Sequence, residues 1–524
     1  MLGKKRVLVA KSRDHSLLRT GLALLLACAV QGCADNGLID PGTLARGTQT
    51  TDSANPAGAS NNPEAVVLFL GDGMGISTVT AGRIYAGQKL GLAGEEHQLT
   101  FERFPDVALI KTYNTDLQVP DSAGTMSAIV TGTKTRAGVL SIAPSVVRGD
   151  CKAALEAPVE TLLEALEARG YRTGLVSTAT ITHATPAANY AHSADRNWES
   201  DADMPAEARA AGCRDIASQL VEFTAQTPGS DGVDVILGGG RANFFPTSVA
   251  DTEYADKTGN RADGRDLTAE WLSAADNRSY VWNTAQFEAL GTGRGQVLGL
   301  FEPSHMQFDA DRNSTPDGEP SLAAMTEFAI NRLRAMSDGK PFLLVVEAGR
   351  IDHAHHGNNA YRAMEDTLAL DDAVKTASNM LSDNALVIVT ADHSHTFTIS
   401  GYPKRGNPML GLVRGPDNEL GKDLNGRPYT TLGYANGSSA AREAAARKDN
   451  GGELVTLTDE IVQDPNYQQT ATVELRSETH AGEDVAAYAT GPGSRRVRGV
   501  MEQNLLFNVM ADALGEALSQ PVAR

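Results

Sequence analysis

Short apolar runs recur along the chain, each closed by glycine or polar residues: 65–70, 173–177, 233–237, 342–346, 385–389 and 484–488. Runs this short and this uniformly apolar predict buried strands rather than half-exposed ones. Between them, the segment from Val159 to Ala168 repeats apolar residues at spacings of three and four and stops at Gly170. The longer segment from Asn359 to Met380 does the same, and both predict helices. Strands alternating with helices define an α/β fold, a doubly wound and mostly parallel central sheet with helices on both faces. Such sheets collect ligands at the carboxyl ends of their strands. Two stretches break the rhythm: about 240–320 is acidic and glycine-rich, and about 401–476 is polar with Gly, Asn and Asp turns. Both read as insertions into one domain spanning 63–515.

The first 33 residues have a different pattern. Lys4, Lys5, Arg6, Lys11, Arg13 and Arg19 precede the apolar run from Leu22 to Val30, which is too short to span a membrane. This order is that of an export signal. Val30-Gln-Gly-Cys33 loosely matches a bacterial lipoprotein box, Leu25-Leu-Ala-Cys28 is a second candidate, and ordinary cleavage stays open. Residues 34–62 nearly lack large apolar side chains and read as a flexible tether, with 516–524 as a C-terminal tail. Export to the periplasm or cell surface, with a possible lipid anchor at the N-terminus, is therefore expected.

Forty-six basic residues against 65 acidic ones leave a formal net charge of −19, which argues against a nucleic-acid-binding surface. An anionic substrate would need local cations to overcome that field. Beyond the leader only Cys151 and Cys213 remain, and an exported pair points to a disulfide.

The chemistry-bearing residues gather where strands end. Glu347-Ala-Gly-Arg-Ile-Asp-His-Ala-His-His356 packs two carboxylates and three imidazoles into one segment of a chain with eleven histidines. Asp352 and His356, four apart, would share one helix face and one divalent ion. Gly71-Asp-Gly-Met-Gly75 puts Asp72 at the end of the first strand, among glycines that allow close approach. Pro120-Asp-Ser-Ala-Gly-Thr places Ser122 at a helix start, where free amides favour an oxyanion. Thr390-Ala-Asp-His-Ser-His395 offers Asp392 and His393, a mixed donor pair that suits zinc. His480 lies near the last strand, and the segment 182–196 supplies His183, Thr185, His192 and Arg196.

These motifs, in this order from about 64 to 515, resemble the alkaline phosphatase family, closer to its animal members than to the enterobacterial ones. The resemblance implies hydrolysis of small phosphomonoesters to an alcohol and phosphate through a phosphoserine at Ser122, with Arg196 holding the phosphoryl oxygens. It further implies two zinc ions, one on Asp352, His356 and His480 and one on Asp72, Asp392 and His393. Magnesium would sit on Asp72, Thr185 and Glu347. His183 and His353 stand behind those ligands, where the enterobacterial pattern has Asp and Lys. A calcium ion on Glu253, the Phe301 carbonyl, Glu302 and Asp317 follows from the animal relatives, as do a Cys151–Cys213 disulfide and a homodimer with a crown-like insertion at 401–476. Gly318 and Glu319 look inserted beside Asp317. A sulfatase would need a C/S-x-P-x-R context around Ser122, which is absent.

Overall fold

The strand Ala65–Gly71 is buried at every position, and so are Phe342–Ala348 and Ala385–Thr390, the strands on either side of it. Full burial over consecutive residues means that both faces of the sheet are covered. The computed structural model describes residues 63–449 and 455–515; the export signal, the tether, Cys28, Cys33 and the 516–524 tail lie outside them. Within them ten strands form one sheet in the order Gly499–Glu502, Asp106–Lys111, Val485–Thr490, Ala385–Thr390, Ala65–Gly71, Phe342–Ala348, Arg172–Thr180, Val235–Gly239, Gln296–Leu300, Arg278–Val281. Only Val485–Thr490 runs against the others. The expected α/β class and mostly parallel sheet are thus observed.

The helices Leu322–Met336 and Ala360–Leu381 pack on each other and on the central strands. Leu333, Leu370, Val374 and Leu381 carry that contact into the main core. Each fully buried Leu or Val contributes roughly 1.5–3 kcal/mol. The helix expected to begin at Val159 begins at Leu162, because Thr161 and Glu164 form a reciprocal capping box.

The 240–320 stretch differs from expectation. It is no simple insertion, since Gln296–Leu300 and then Arg278–Val281, one of the two edge strands, extend the central sheet. Arg278–Val281 opens with Arg and Ser, and Gly299 interrupts Gln296–Leu300, so neither gives an unbroken apolar run. The 401–476 stretch does form a separate layer. Its strands Leu432–Gly437 and Ala471–Glu474 join Phe397–Ile399 in a three-stranded sheet. Phe397, Met409, Leu432 and Tyr434 pack there against Ala81, Ala360 and Met364 of the main body.

Cys151 and Cys213 are joined, as expected. The bond staples a small apolar cluster with Val139, Ile142, Trp198 and Met204, apart from the main core. Among the described residues no helix is long and apolar enough to cross a membrane.

Candidate metal centre

Four strands deliver carboxylates and imidazoles to one end of the sheet. Asp72 follows Ala65–Gly71, Glu347 closes Phe342–Ala348, and Asp392 and His393 follow Ala385–Thr390. His480 precedes Val485–Thr490 on a short ladder in which it pairs with His395. Gly73 makes the approach possible: its φ is +68°, and a Cβ there would come within 2.4 Å of the His395 ring. Its amide donates to Asp392 Oδ1 at 3.0 Å.

The first group is Asp352, His356, His395 and His480. Asp352 and His356 lie one turn apart on the helix Arg350–His356, as their spacing predicts. His356 Nδ1 donates to the Glu478 carbonyl at 2.6 Å, and His480 Nδ1 to the Pro120 carbonyl at 2.8 Å. A carbonyl can only accept, so both Nδ1 atoms carry the proton and both Nε2 atoms present lone pairs. Those lone pairs stand 3.2 Å apart, each 3.3 Å from Asp352 Oδ1. Three electron-pair donors converge with no proton between them, and only a cation satisfies them. Backbone carbonyls that fix the tautomer of a metal-binding imidazole are the usual arrangement.

His395 has a different role, and sequence reasoning missed it. Its Nδ1 donates to Glu478 Oε2 at 2.5 Å and its Nε2 to Asp352 Oδ1 at 2.8 Å. With a carboxylate at each nitrogen it is an imidazolium, not a ligand. Burial opposes that charge, but the hydrogen bonds to Asp352 and Glu478 win and push its pKa up to about 10. The signal was its place in the Asp-His-Ser-His segment, yet its partner Glu478 is remote in sequence.

The second group is Asp72, Asp392 and His393, all buried. His393 Nδ1 is 3.3 Å from the Ser394 carbonyl, so its Nε2 lone pair faces Asp72 Oδ1 at 3.4 Å and Asp392 Oδ2 at 3.3 Å. Ser122 Oγ donates to the same Nε2 at 3.1 Å. Ser122 opens the helix Ser122–Thr131, while the cap is Asp121, which accepts from Gly124 N at 3.1 Å. The serine hydroxyl is thereby left to the site.

The third group is Asp72, His183 and Glu347. Both Asp72 oxygens, Glu347 Oε1 and Thr185 Oγ1 are buried without a hydrogen-bond partner. Burial, then the charges of Asp392, Asp352 and Glu347, push the Asp72 carboxyl well up. A cation reverses that pressure. His183 is not a ligand, because its Nε2 accepts from Arg196 Nη2 at 2.9 Å and its Nδ1 therefore holds the proton. Arg196 also reaches Asp121 Oδ2 at 3.3 Å. His192 lies outside all three groups: its Nδ1 meets the Ser141 carbonyl and its Nε2 meets Glu164.

The expected calcium residues are brought together only in part. Arg241 donates to the Phe301 carbonyl and to Glu253 Oε2, each at 2.7 Å. Glu302 accepts from Tyr254 and Gln307. Asp317 is exposed, whereas Glu319, two residues on, is buried. Glu319 is 2% exposed, accepts from the Gln307 amide, and keeps Oε2 buried and unpartnered. Burial and the charge of Glu302 push its pKa up to about 8.

A doubly wound sheet ending in three adjoining groups of carboxylates and imidazoles, with a serine hydroxyl against one of them, defines a multi-metal hydrolase. The family model for alkaline phosphatase matches residues 63–516, and the chain belongs to the alkaline phosphatase family. It is 43% identical over 461 residues to the tissue-nonspecific alkaline phosphatase of Gallus gallus, covering 86% of this chain and 85% of that one. It is 42% identical to the alkaline phosphatase of Gadus morhua, covering 86% and 92%. Among solved structures, the Thermus thermophilus alkaline phosphatase superposes with a TM-score of 0.61 at 25% identity, covering 88% of this chain and 92% of that one. The chain is accordingly a metal-dependent enzyme that hydrolyses phosphomonoesters, through the phosphoserine intermediate standard for the family.

Proposed function

We propose that Ser122 is the nucleophile and Arg196 the phosphate clamp of this hydrolase. The observation that carries the reading is Ser122 Oγ standing 3.1 Å from the His393 Nε2 lone pair, at a helix N-terminus and beside Arg196's partner Asp121. The guanidinium fork holds two phosphoryl oxygens while Asp121 fixes its orientation. Ser122 Oγ attacks phosphorus as the ester oxygen departs, and water then releases phosphate from the phosphoserine. Free amides at the helix start favour the charge that develops.

The mixed nitrogen and oxygen donors of Asp352, His356 and His480, and of Asp72, Asp392 and His393, suit zinc, whereas the all-oxygen set of Asp72, Thr185 and Glu347 suits magnesium. When bound, such ions supply Lewis-acid charge to the attacking and leaving oxygens. Calcium fits Glu302 and Glu319, with Glu253 and the Phe301 carbonyl shared with Arg241. A homodimer through the 401–476 region and export behind a leader, either lipid-anchored at Cys33 or Cys28 or simply cleaved, complete the reading; the basic residues before the apolar run support export.

The test is Ser122→Ala. It should abolish a phosphoenzyme trapped by acid quench and most turnover of an aryl phosphate, and undiminished turnover refutes the covalent route.

A further inference from the structure

His305, from the loop after Gln296–Leu300, completes a trio with His183 and His353. Ring centroids are 5.6 Å apart for His183 and His305, 5.4 Å for His183 and His353, and 4.2 Å for His305 and His353. Each ring has one nitrogen fixed as an acceptor by a group that can only donate. The Thr180 amide donates to His305 Nδ1 at 3.0 Å, Arg196 to His183 Nε2 at 2.9 Å, and Arg350 to His353 Nδ1 at 3.0 Å. The proton of each neutral imidazole therefore sits on the other nitrogen, and none of these three positions can take a metal.

What remains for an anion is two N–H donors, on His305 Nε2 and His353 Nε2, whereas His183 Nδ1 is buried, in a residue grouped with the Asp72 and Glu347 carboxylates. All three residues are half-buried, and His305 lines the cleft. Two guanidiniums flank them: Arg196 behind His183, and Arg350, held over the Phe308 ring at 3.7 Å, behind His353. In a chain of net charge −19, this row of unused donors and fixed cations is a local path for an anion.

We propose that His305 and His353 form a second anion subsite, which takes a second phosphoryl group attached to the one held by Arg196, and that His305 determines the preference for it. The proposal rests on the reading that Ser122 and Arg196 handle the scissile phosphoryl group. In such a substrate Ser122 Oγ bonds to the terminal phosphorus as the bond to the bridging oxygen breaks. The bridging oxygen keeps the electron pair and leaves as part of the second phosphate, and one water later cleaves the phosphoserine. Past His305 opens a polar cleft of about 660 Å³ lined by Asn197, Asn243, Asn260 and Lys257 together with Glu199 and Asp203, with room for an organic remainder.

The test compares matched substrates on the metal-loaded enzyme: ADP against AMP, and inorganic pyrophosphate against 4-nitrophenyl phosphate. In His305→Ala the kcat/KM ratio of the doubly to the singly phosphorylated substrate should fall about tenfold in both pairs, the size expected for one hydrogen bond to a charged group. His305→Gln, which restores an N–H of similar reach, should recover at least part of the ratio. A fall confined to ADP would assign the effect to the nucleoside and overturn the phosphoryl subsite. An equal loss on every substrate would overturn it too. Wild-type enzyme inert towards 4-nitrophenyl phosphate would defeat the parent reading as well, whereas normal turnover with unchanged ratios defeats the subsite alone. Competition by methylenebisphosphonate against inorganic phosphate gives the same comparison without chemistry, and His305→Ala should weaken only the former's advantage.

Discussion

His356 and His480 point their Nε2 lone pairs at each other across 3.2 Å, with both Nδ1 protons committed to backbone carbonyls. Removing the cation from between them leaves mutual repulsion beside the buried Asp352. Exhaustive chelation should therefore lower the melting temperature by several degrees as well as abolish turnover, because ions that bind only the folded state stabilise it. Calorimetry before and after metal is restored checks this. A melting temperature indifferent to chelation would remove the argument from convergent lone pairs.

His395 tests whether orientation matters apart from ligation. In His395→Ala, Asp352 and Glu478 lose a shared counter-charge, and zinc affinity should drop about 10- to 100-fold, as is common when a group holding a metal ligand is removed. Competition with a chromogenic chelator measures it. Wild-type affinity in the variant would reduce His395 to a packing residue.

His192 offers a pH test away from the metal groups. Burial disfavours its charge, but the hydrogen bond and charge of Glu164 and the Ser141 carbonyl raise its pKa in the folded protein. A raised folded pKa contributes stability that is fully present below the ordinary histidine value near 6.5 and is lost as pH climbs through the folded value. Denaturant unfolding of metal-saturated protein should show this loss on the alkaline side. The profile of His192→Gln should be flatter there; an identical slope would mean that another group titrates.

The bond between Cys151 and Cys213 joins residues 62 apart in sequence. Chain entropy assigns a loop of that length about 4 kcal/mol. Cys151→Ala with Cys213→Ala should lower stability by up to that amount while sparing the main sheet, since the stapled cluster is separate from it. Urea unfolding of the double variant gives the value, and a difference below about 1 kcal/mol would show that packing alone holds the cluster.

Calcium should raise the melting temperature of the wild type and of Asp317→Asn, but not of Glu319→Gln. The reverse pattern would return the ligand role to Asp317.

The central strands and the Asp352/His356 pair were legible because their periodicities are local: consecutive apolar residues in one case, one helical turn in the other. Ser122, Asp72, Asp392 and His393 were legible as residues closing strands or opening a helix. Arg278–Val281 and Gln296–Leu300 escaped because polar residues and a glycine break their apolar runs. The roles of His395 and His305 escaped for another reason. An imidazole's function is set by what faces each nitrogen, and Glu478 and Thr180 are remote in sequence. Between Asp317 and Glu319 the sequence offers two acids almost side by side, and only burial separates them.

Asp72 comes near the beginning of the described chain and His480 near its end, yet both belong to adjoining metal groups. Strands between them must pair before either group exists, so the polypeptide has no finished ion-binding pocket while it is being made. Metal loading is then a late step of maturation, coming after the sheet has closed, and the supply of ions where folding finishes governs how much enzyme becomes active.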